Sequence, residues 1–149
     1  MDGPVYVDSS ALVKIYVPEP DSDQVESLLR SRTDLVISDL VVTEIVSAAA
    51  RRMREGTLPA RTVRHLQQSI LTDVKSDRIR LVDLRSTTHR NAERILMKFV
   101  SGVLRAADAL HLALALESEC RSVVTFDIRL AEAARSAGVS VYPEVLSQG

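Results

Sequence analysis

Val5-Tyr6-Val7-Asp8 and Val123-Val124-Thr125-Phe126-Asp127 are two short apolar stretches, each closed by an aspartate. Such runs, rich in β-branched and aromatic residues and lacking polar alternation, predict strands buried on both faces of a parallel sheet. Leu35–Ile37, Ile79–Val82 and Val139–Tyr142 have the same character, so with Val5–Val7 and Ser122–Thr125 the chain offers five strands. Longer segments of helical periodicity alternate with them. That alternation predicts an α/β fold, a central, mostly parallel five-stranded sheet flanked by helices.

Caps and breakers place the helices. Ser38 or Asp39 can cap a helix running to Gly56, and Pro59 suits the first turn of the next, which ends near Ser76. Ser86 to Thr88 offer caps for a helix ending near Gly102. Another spans about Arg105 to Ser118, and Asp127 opens the last, which Gly138 closes. The central three helices are expected to form a cap or dimer-facing layer beside the sheet. No repeat, low-complexity segment or linker divides the chain, so a single domain over residues 1–149 is expected.

A chain of 149 residues can bury about 68–70% of the surface its unfolded form exposes, and needs no staples. Cys120 is the only cysteine, which excludes an intrachain disulfide and a cysteine-based zinc site and agrees with a reducing compartment. The start, Met1-Asp2-Gly3-Pro4, lacks a signal-peptide pattern. No apolar run reaches the roughly 20 residues a membrane span needs, so a cytoplasmic protein is the expectation.

The net charge of −1 and pI near 6.3 argue against generic nucleic-acid binding. The sum hides an asymmetry, because residues 51–94 carry eleven Lys or Arg against five acids, while residues 1–50 carry three against nine. Arg51, Arg52, Arg54, Arg61, Arg64, Arg90, Arg94 and Lys98 could make a rim for a polyanion, although for any one of them an ordinary solvated helix face is the commoner explanation.

Four acids stand where acids are expensive. Asp8 and Asp127 follow strands and precede helices, so a parallel sheet projects both at its carboxyl edge, where open α/β folds bind ligands. Aspartate is also a preferred helix N-cap, which alone would account for either position. Glu44 has Leu40, Val41, Ile45 and Ala48 as its helical neighbours and lies on the apolar stripe. Asp108 sits in Ala106-Ala107-Asp108-Ala109-Leu110-His111-Leu112-Ala113-Leu114-Ala115-Leu116, a helix apolar nearly all round, with Arg105 three residues back as the ordinary ion-pair partner.

Two strand ends and two helix faces at one sheet edge are compatible with a single cleft. Carboxylates brought together there repel, and require protons or a cation. Oxygen-only donors favour Mg²⁺ or Mn²⁺ over zinc. Such an ion generates a nucleophilic water and stabilises charge on a phosphoryl group, which makes phosphodiester hydrolysis the natural chemistry. It would also let a mildly acidic protein engage nucleic acid.

Val7-Asp8-Ser9-Ser10-Ala11-Leu12-Val13-Lys14, Ser38-Asp39-Leu40-Val41-Val42-Thr43-Glu44, Arg105-Ala106-Ala107-Asp108-Ala109-Leu110-His111-Leu112-Ala113 and Thr125-Phe126-Asp127 resemble the sequence blocks of PIN-domain proteins. Their order and spacing are similar to those of VapC-type toxins across nearly the whole chain. The resemblance implies a three-layer PIN fold and a metal-dependent endoribonuclease, the toxin of a toxin–antitoxin pair, usually dimeric and inhibited by a VapB-type antitoxin. It further implies that Asp8 and Asp108 are direct metal ligands, Glu44 a ligand directly or through water, and Asp127 a fourth, more variable acid. Ser9 and Thr125 are implied as supporting donors.

His111, three residues after Asp108, is expected to be a neutral histidine bonded to backbone or water, and His65 and His89 surface groups. Lys14 and Arg129 flank the strand-end acids and stand open as phosphate contacts or surface charge. Two other classes compete. One is a catalytically silent binding module on the same fold. The other is a phosphotransfer enzyme, but a dehalogenase-like phosphatase needs an aspartate where Ser10 stands. A receiver domain needs paired acids after the first strand, where Asp8 is followed by Ser9, and an aspartate marking the third, where Asp83 is an unclear candidate.

Overall fold

The computed structural model describes residues 1–99 and 102–145. In chain order the elements are β1 (Val5–Val7), α1 (Ser9–Tyr16), α2 (Ser22–Leu29), β2 (Leu35–Ser38), α3 (Asp39–Arg54), α4 (Ala60–Lys75), β3 (Ile79–Val82), α5 (Ser86–Lys98), α6 (Ala106–Glu117), β4 (Ser122–Val124), α7 (Ile128–Ser136) and β5 (Ser140–Tyr142). The five strands form one sheet in the order β3-β2-β1-β4-β5. Every pairing is parallel, with Val5 opposite Leu35 on one side of β1 and Val7 opposite Val124 on the other.

The expected strands agree with the structure to within one residue at each end. β1 is buried throughout, as are Val123 and Val124 of β4, which suits strands with neighbours on both sides and helices on both faces. The chain builds β2 and β3 outward on one side of β1 and then returns to place β4 on the other. The reversal lies between β1 and β4, and a sheet of this kind opens a crevice at the carboxyl ends of those two strands. Asp8 and Asp127 stand at that crevice. Asp83 does follow β3 directly, but β3 is an edge strand two places from β1, roughly 10 Å away at ordinary strand spacing, which removes the receiver-domain arrangement.

Local capping explains where the helices begin. Asp8 Oδ1 accepts from the Ala11 backbone N–H at the start of α1, Ser38 Oγ from Val41 N at the start of α3, and Asp127 Oδ1 from Arg129 N and Leu130 N at the start of α7. The sequence reading set no bounds for α1 and α2. They are eight residues each, separated by Pro18 and Pro20, and bury only Ala11 and Leu12, and Val25 and Leu29. Helix α5 stops at Lys98, short of the expected Gly102; positions 100 and 101 of that expectation lie outside the described residues.

The expected layer of three central helices is not what forms. Helices α3 and α4 pack on each other and on the β2–β3 side, whereas α5 packs on α6. The α5–α6 contact is fastened by Glu117, which accepts from the buried Thr88 hydroxyl at 2.7 Å and from Asn91 Nδ2 at 2.6 Å. Among the described residues no helix is long and apolar enough to cross a membrane.

Candidate active site

Two hydroxyls stitch the crevice shut at its floor. Thr125, just after β4, donates from Oγ1 to Asp8 Oδ2 at 2.6 Å, and its oxygen accepts from the Asp127 backbone N–H at 3.0 Å. Ser10, just after β1, donates to Asp8 Oδ1 at 2.7 Å and accepts from the Phe126 backbone N–H at 2.9 Å. Each strand end thus reaches across to the other. Thr125, which the resemblance implied as a supporting donor, makes its hydrogen bond to Asp8. Ser10 was missed, although its place two residues after a strand-end aspartate on a helical first turn is the available signal.

Asp8 is both the cap and the buried acid that its position allowed. It is 3% exposed, and burial pushes its carboxyl above the usual carboxylate range against the opposing pull of the Thr125, Ser10 and Ala11 hydrogen bonds. Asp108 is 5% exposed on α6. Burial raises its carboxyl as well, with the nearby Asp127 charge adding to the rise and the Arg105 backbone N–H and the Arg129 charge opposing it.

The partner of Asp108 differs from the expected one. Arg105 contributes only its backbone N–H, 3.0 Å from Asp108 Oδ2 in a capping arrangement. The cation is Arg129, on the first turn of α7, whose Nε lies 3.6 Å from Asp108 Oδ2 and 3.9 Å from Asp127 Oδ1. That Nε is buried and has no hydrogen-bond partner among the described residues. Lys14 turns away from the acids to Glu19 at 3.3 Å and the Pro20 carbonyl at 2.8 Å, over the Phe126 ring.

Glu44, on α3, stands beside the start of α1 and the His111 ring, with a side chain 33% exposed. Ser9 Oγ lies 3.4 Å from its Oε1, the weaker of its contacts. The stronger is His111 Nε2, at 2.5 Å. His111 is buried, 3% exposed, and its Nδ1 lies 2.8 Å from the Tyr6 hydroxyl, so the expected backbone or water partners are replaced by two side chains. His65 and His89 are exposed, as expected.

The four acids are therefore gathered at one sheet edge in two halves, Asp8, Asp108 and Asp127 around the β1–β4 crevice and Glu44 on α3 beside His111. Among the described residues no three acidic, histidine or cysteine side chains stand close enough to enclose an ion as placed. The donor set nevertheless suits a hard divalent cation. It is all oxygen, two of its carboxylates are buried with raised protonation, and one half-exposed arginine with an unbonded buried Nε is the cation that faces Asp108 and Asp127.

A PIN-domain family model matches residues 5–136. Ribonuclease VapC46 of Mycobacterium tuberculosis is 30% identical over 146 residues, covering 92% of this chain and 95% of its own length. Among solved structures, VapC20 of Mycobacterium tuberculosis, a toxin that cleaves the sarcin–ricin loop, superimposes with a TM-score of 0.73 at 17% identity, covering 95% of this chain and 98% of that one. A toxin–antitoxin complex from Klebsiella pneumoniae gives 0.65 at 15% identity, covering 95% and 99%. At those identities the structural likeness is one of fold.

Proposed function

The chain belongs to the PIN-domain family, and on that premise we propose that it is a ribonuclease, the toxin of a VapBC-type toxin–antitoxin pair, hydrolysing RNA phosphodiester bonds with Mg²⁺ or Mn²⁺. The observation that carries this reading is the β1–β4 crevice at the switch in strand order, where Thr125 ties buried Asp8 to the Asp127 backbone and Arg129 lies between Asp127 and buried Asp108. The ribonuclease identity of a relative matching nearly end to end supports it.

Asp8 and Asp108 would hold the ion, Glu44 directly or through water, and Asp127 from the outer side. When bound, the ion supplies a water of lowered pKa and stabilises charge on the phosphoryl group. The chain's own residues prepare the site. Thr125 and Ser10 clamp both oxygens of Asp8, so the carboxylate cannot rotate away from the crevice. Burial excludes bulk water from Asp8 and Asp108 and strengthens every charge interaction there. Arg129 spans Asp108 and Asp127 and, being 37% exposed, would be placed to offer its charge to an RNA phosphate at the mouth of the crevice.

The exposed arginines of α3, α4 and α5 would hold the RNA backbone. The protein would act in the cytoplasm as a homodimer restrained by a VapB-type antitoxin; the presence of a like fold in a toxin–antitoxin complex supports the antitoxin partner.

The test is cleavage of RNA by partner-free protein in Mg²⁺, Mn²⁺ or EDTA, beside Asp8→Asn and Asp108→Asn. Cleavage should require the ion and vanish in both variants. Cleavage in EDTA, or full activity in both variants, would overturn the mechanism. No cleavage of any RNA with either ion would favour a silent binding module.

A further inference from the structure

A chain of four side chains runs through the protein's interior to Glu44. His111 Nε2 is 2.5 Å from Glu44 Oε1, His111 Nδ1 is 2.8 Å from the Tyr6 hydroxyl, and that hydroxyl is 2.9 Å from Ser38 Oγ. Ser38 Oγ in turn accepts from the Val41 backbone N–H at 3.3 Å. Tyr6 and Ser38 are fully buried. The links join elements that already build the site: Tyr6 lies two residues before Asp8 on β1, Ser38 caps the helix that carries Glu44, and His111 follows Asp108 by three residues on the same face of α6.

One arrangement of hydrogens satisfies every member. Ser38 accepts from Val41 and donates to Tyr6, Tyr6 donates to His111 Nδ1, and the remaining ring hydrogen on Nε2 is given to the Glu44 carboxylate. Reversing the direction would set a bare Nε2 against a carboxylate oxygen and leave the Ser38 hydrogen without an acceptor among the described residues. Buried hydroxyls thus set the tautomer of the ring.

We propose that His111 is a positioning residue for Glu44, its Nε2–H tautomer imposed by the Ser38–Tyr6 hydroxyl pair and its hydrogen bond aiming the carboxylate at the divalent ion. The inference rests on the metal reading of the site. Glu44 is a long, one-third-exposed side chain whose other hydrogen bond among the described residues is to Ser9 at 3.4 Å, so without His111 it would sample several rotamers and would meet a bound ion only part of the time.

Two measurements test it, neither of them turnover. In the metal-free protein, ¹⁵N spectra of the histidine rings should show His111 with its single hydrogen on Nε2, and Tyr6→Phe should shift the ring toward the other tautomer. A hydrogen on Nδ1 in the wild-type chain overturns the relay. Mn²⁺ affinity, read from the signal of free Mn²⁺ by electron paramagnetic resonance, should fall about 10- to 100-fold in His111→Leu. His111→Gln, whose amide can donate to the same carboxylate, should recover most of that loss. Equal Mn²⁺ binding by wild type, His111→Leu and His111→Gln, all folded by circular dichroism, overturns the positioning role alone. A wild-type chain that binds no Mn²⁺ overturns the metal reading and this inference with it.

Discussion

Thr125 Oγ1 and Asp8 Oδ2 meet at 2.6 Å across 117 positions of sequence, and the same threonine oxygen receives the backbone N–H of Asp127. That hydroxyl, together with Ser10, therefore ties the two strand ends that carry acids to each other. Because it is fully buried, nothing from solvent can take its place.

Thr125→Val keeps the shape and removes both bonds. The Asp8 carboxylate then loses a donor in a dry site, which should cost about 1–3 kcal/mol of stability and drive its protonation further upward. Thr125→Ser should restore most of the loss. Urea unfolding of the three proteins checks this, and a valine variant as stable as wild type would show that the bond is incidental.

The raised protonation of Asp8 and Asp108 sets the sign of a pH effect in the metal-free protein. The folded chain holds these protons more tightly than the unfolded one. Their contribution is present below the ordinary aspartate value near 3.9 and is lost as pH rises through the raised folded values. The stability of wild type relative to Asp8→Asn should accordingly decline with rising pH in that window, by at most about 1.4 kcal/mol per pH unit. Saturating Mn²⁺ should abolish the decline. A difference that grows with pH would contradict the assignment.

Arg129→Ala removes the cation shared by Asp108 and Asp127. The side chain is 37% exposed, so the stability change should stay below about 1 kcal/mol. The Asp108 carboxyl should nevertheless titrate at higher pH, since an opposing charge has gone while that of Asp127 remains. Carbon-13 titration of the side-chain carboxyls reads this directly, and an unmoved Asp108 would detach the arginine from the acid cluster.

Glu117→Ala unfastens α5 from α6 by depriving Thr88 and Asn91 of their acceptor. With Thr88 fully buried, a cost of about 1–3 kcal/mol is expected. Amide hydrogen exchange should accelerate in α5 ahead of the sheet strands. Uniform acceleration through the sheet instead would mean that the clamp supports the whole domain rather than one helix.

What could be read from the residues alone was what neighbours in sequence control. Unbroken apolar runs require strands covered on both faces, so five parallel strands followed from Val5–Val7 and its counterparts, but only β1, β2 and β4 are buried throughout, and the edge strands β3 and β5 expose Arg80 and Ser140. Ser38, Asp8 and Asp127 mark helix starts because a short polar side chain satisfies N–H groups two or three residues ahead. The same local logic singled out Asp108 and Glu44 as acids on apolar faces. Helices α1 and α2 escaped firm bounds because two turns hold too few periodic positions to define a face, and their order depends on burying Leu12 and Val25 against the rest of the protein.

Pairing across the fold had no such signature. The strand order placed β1 beside β4 and β3 at the edge, which separates Asp83 from Asp8 and brings Asp127 to Asp108 through Arg129. Lys14 and Arg129 were equivalent in sequence, each near a strand-end acid; packing sent one to Glu19 and the other to the acids. His111, expected to rest on backbone or water, found Glu44 and Tyr6 67 and 105 positions away. The sequence determined which residues would be costly to bury. Only the tertiary structure decided which of them would answer one another, because a hydrogen bond or ion pair depends on separation in space, and chain distance carries no record of it.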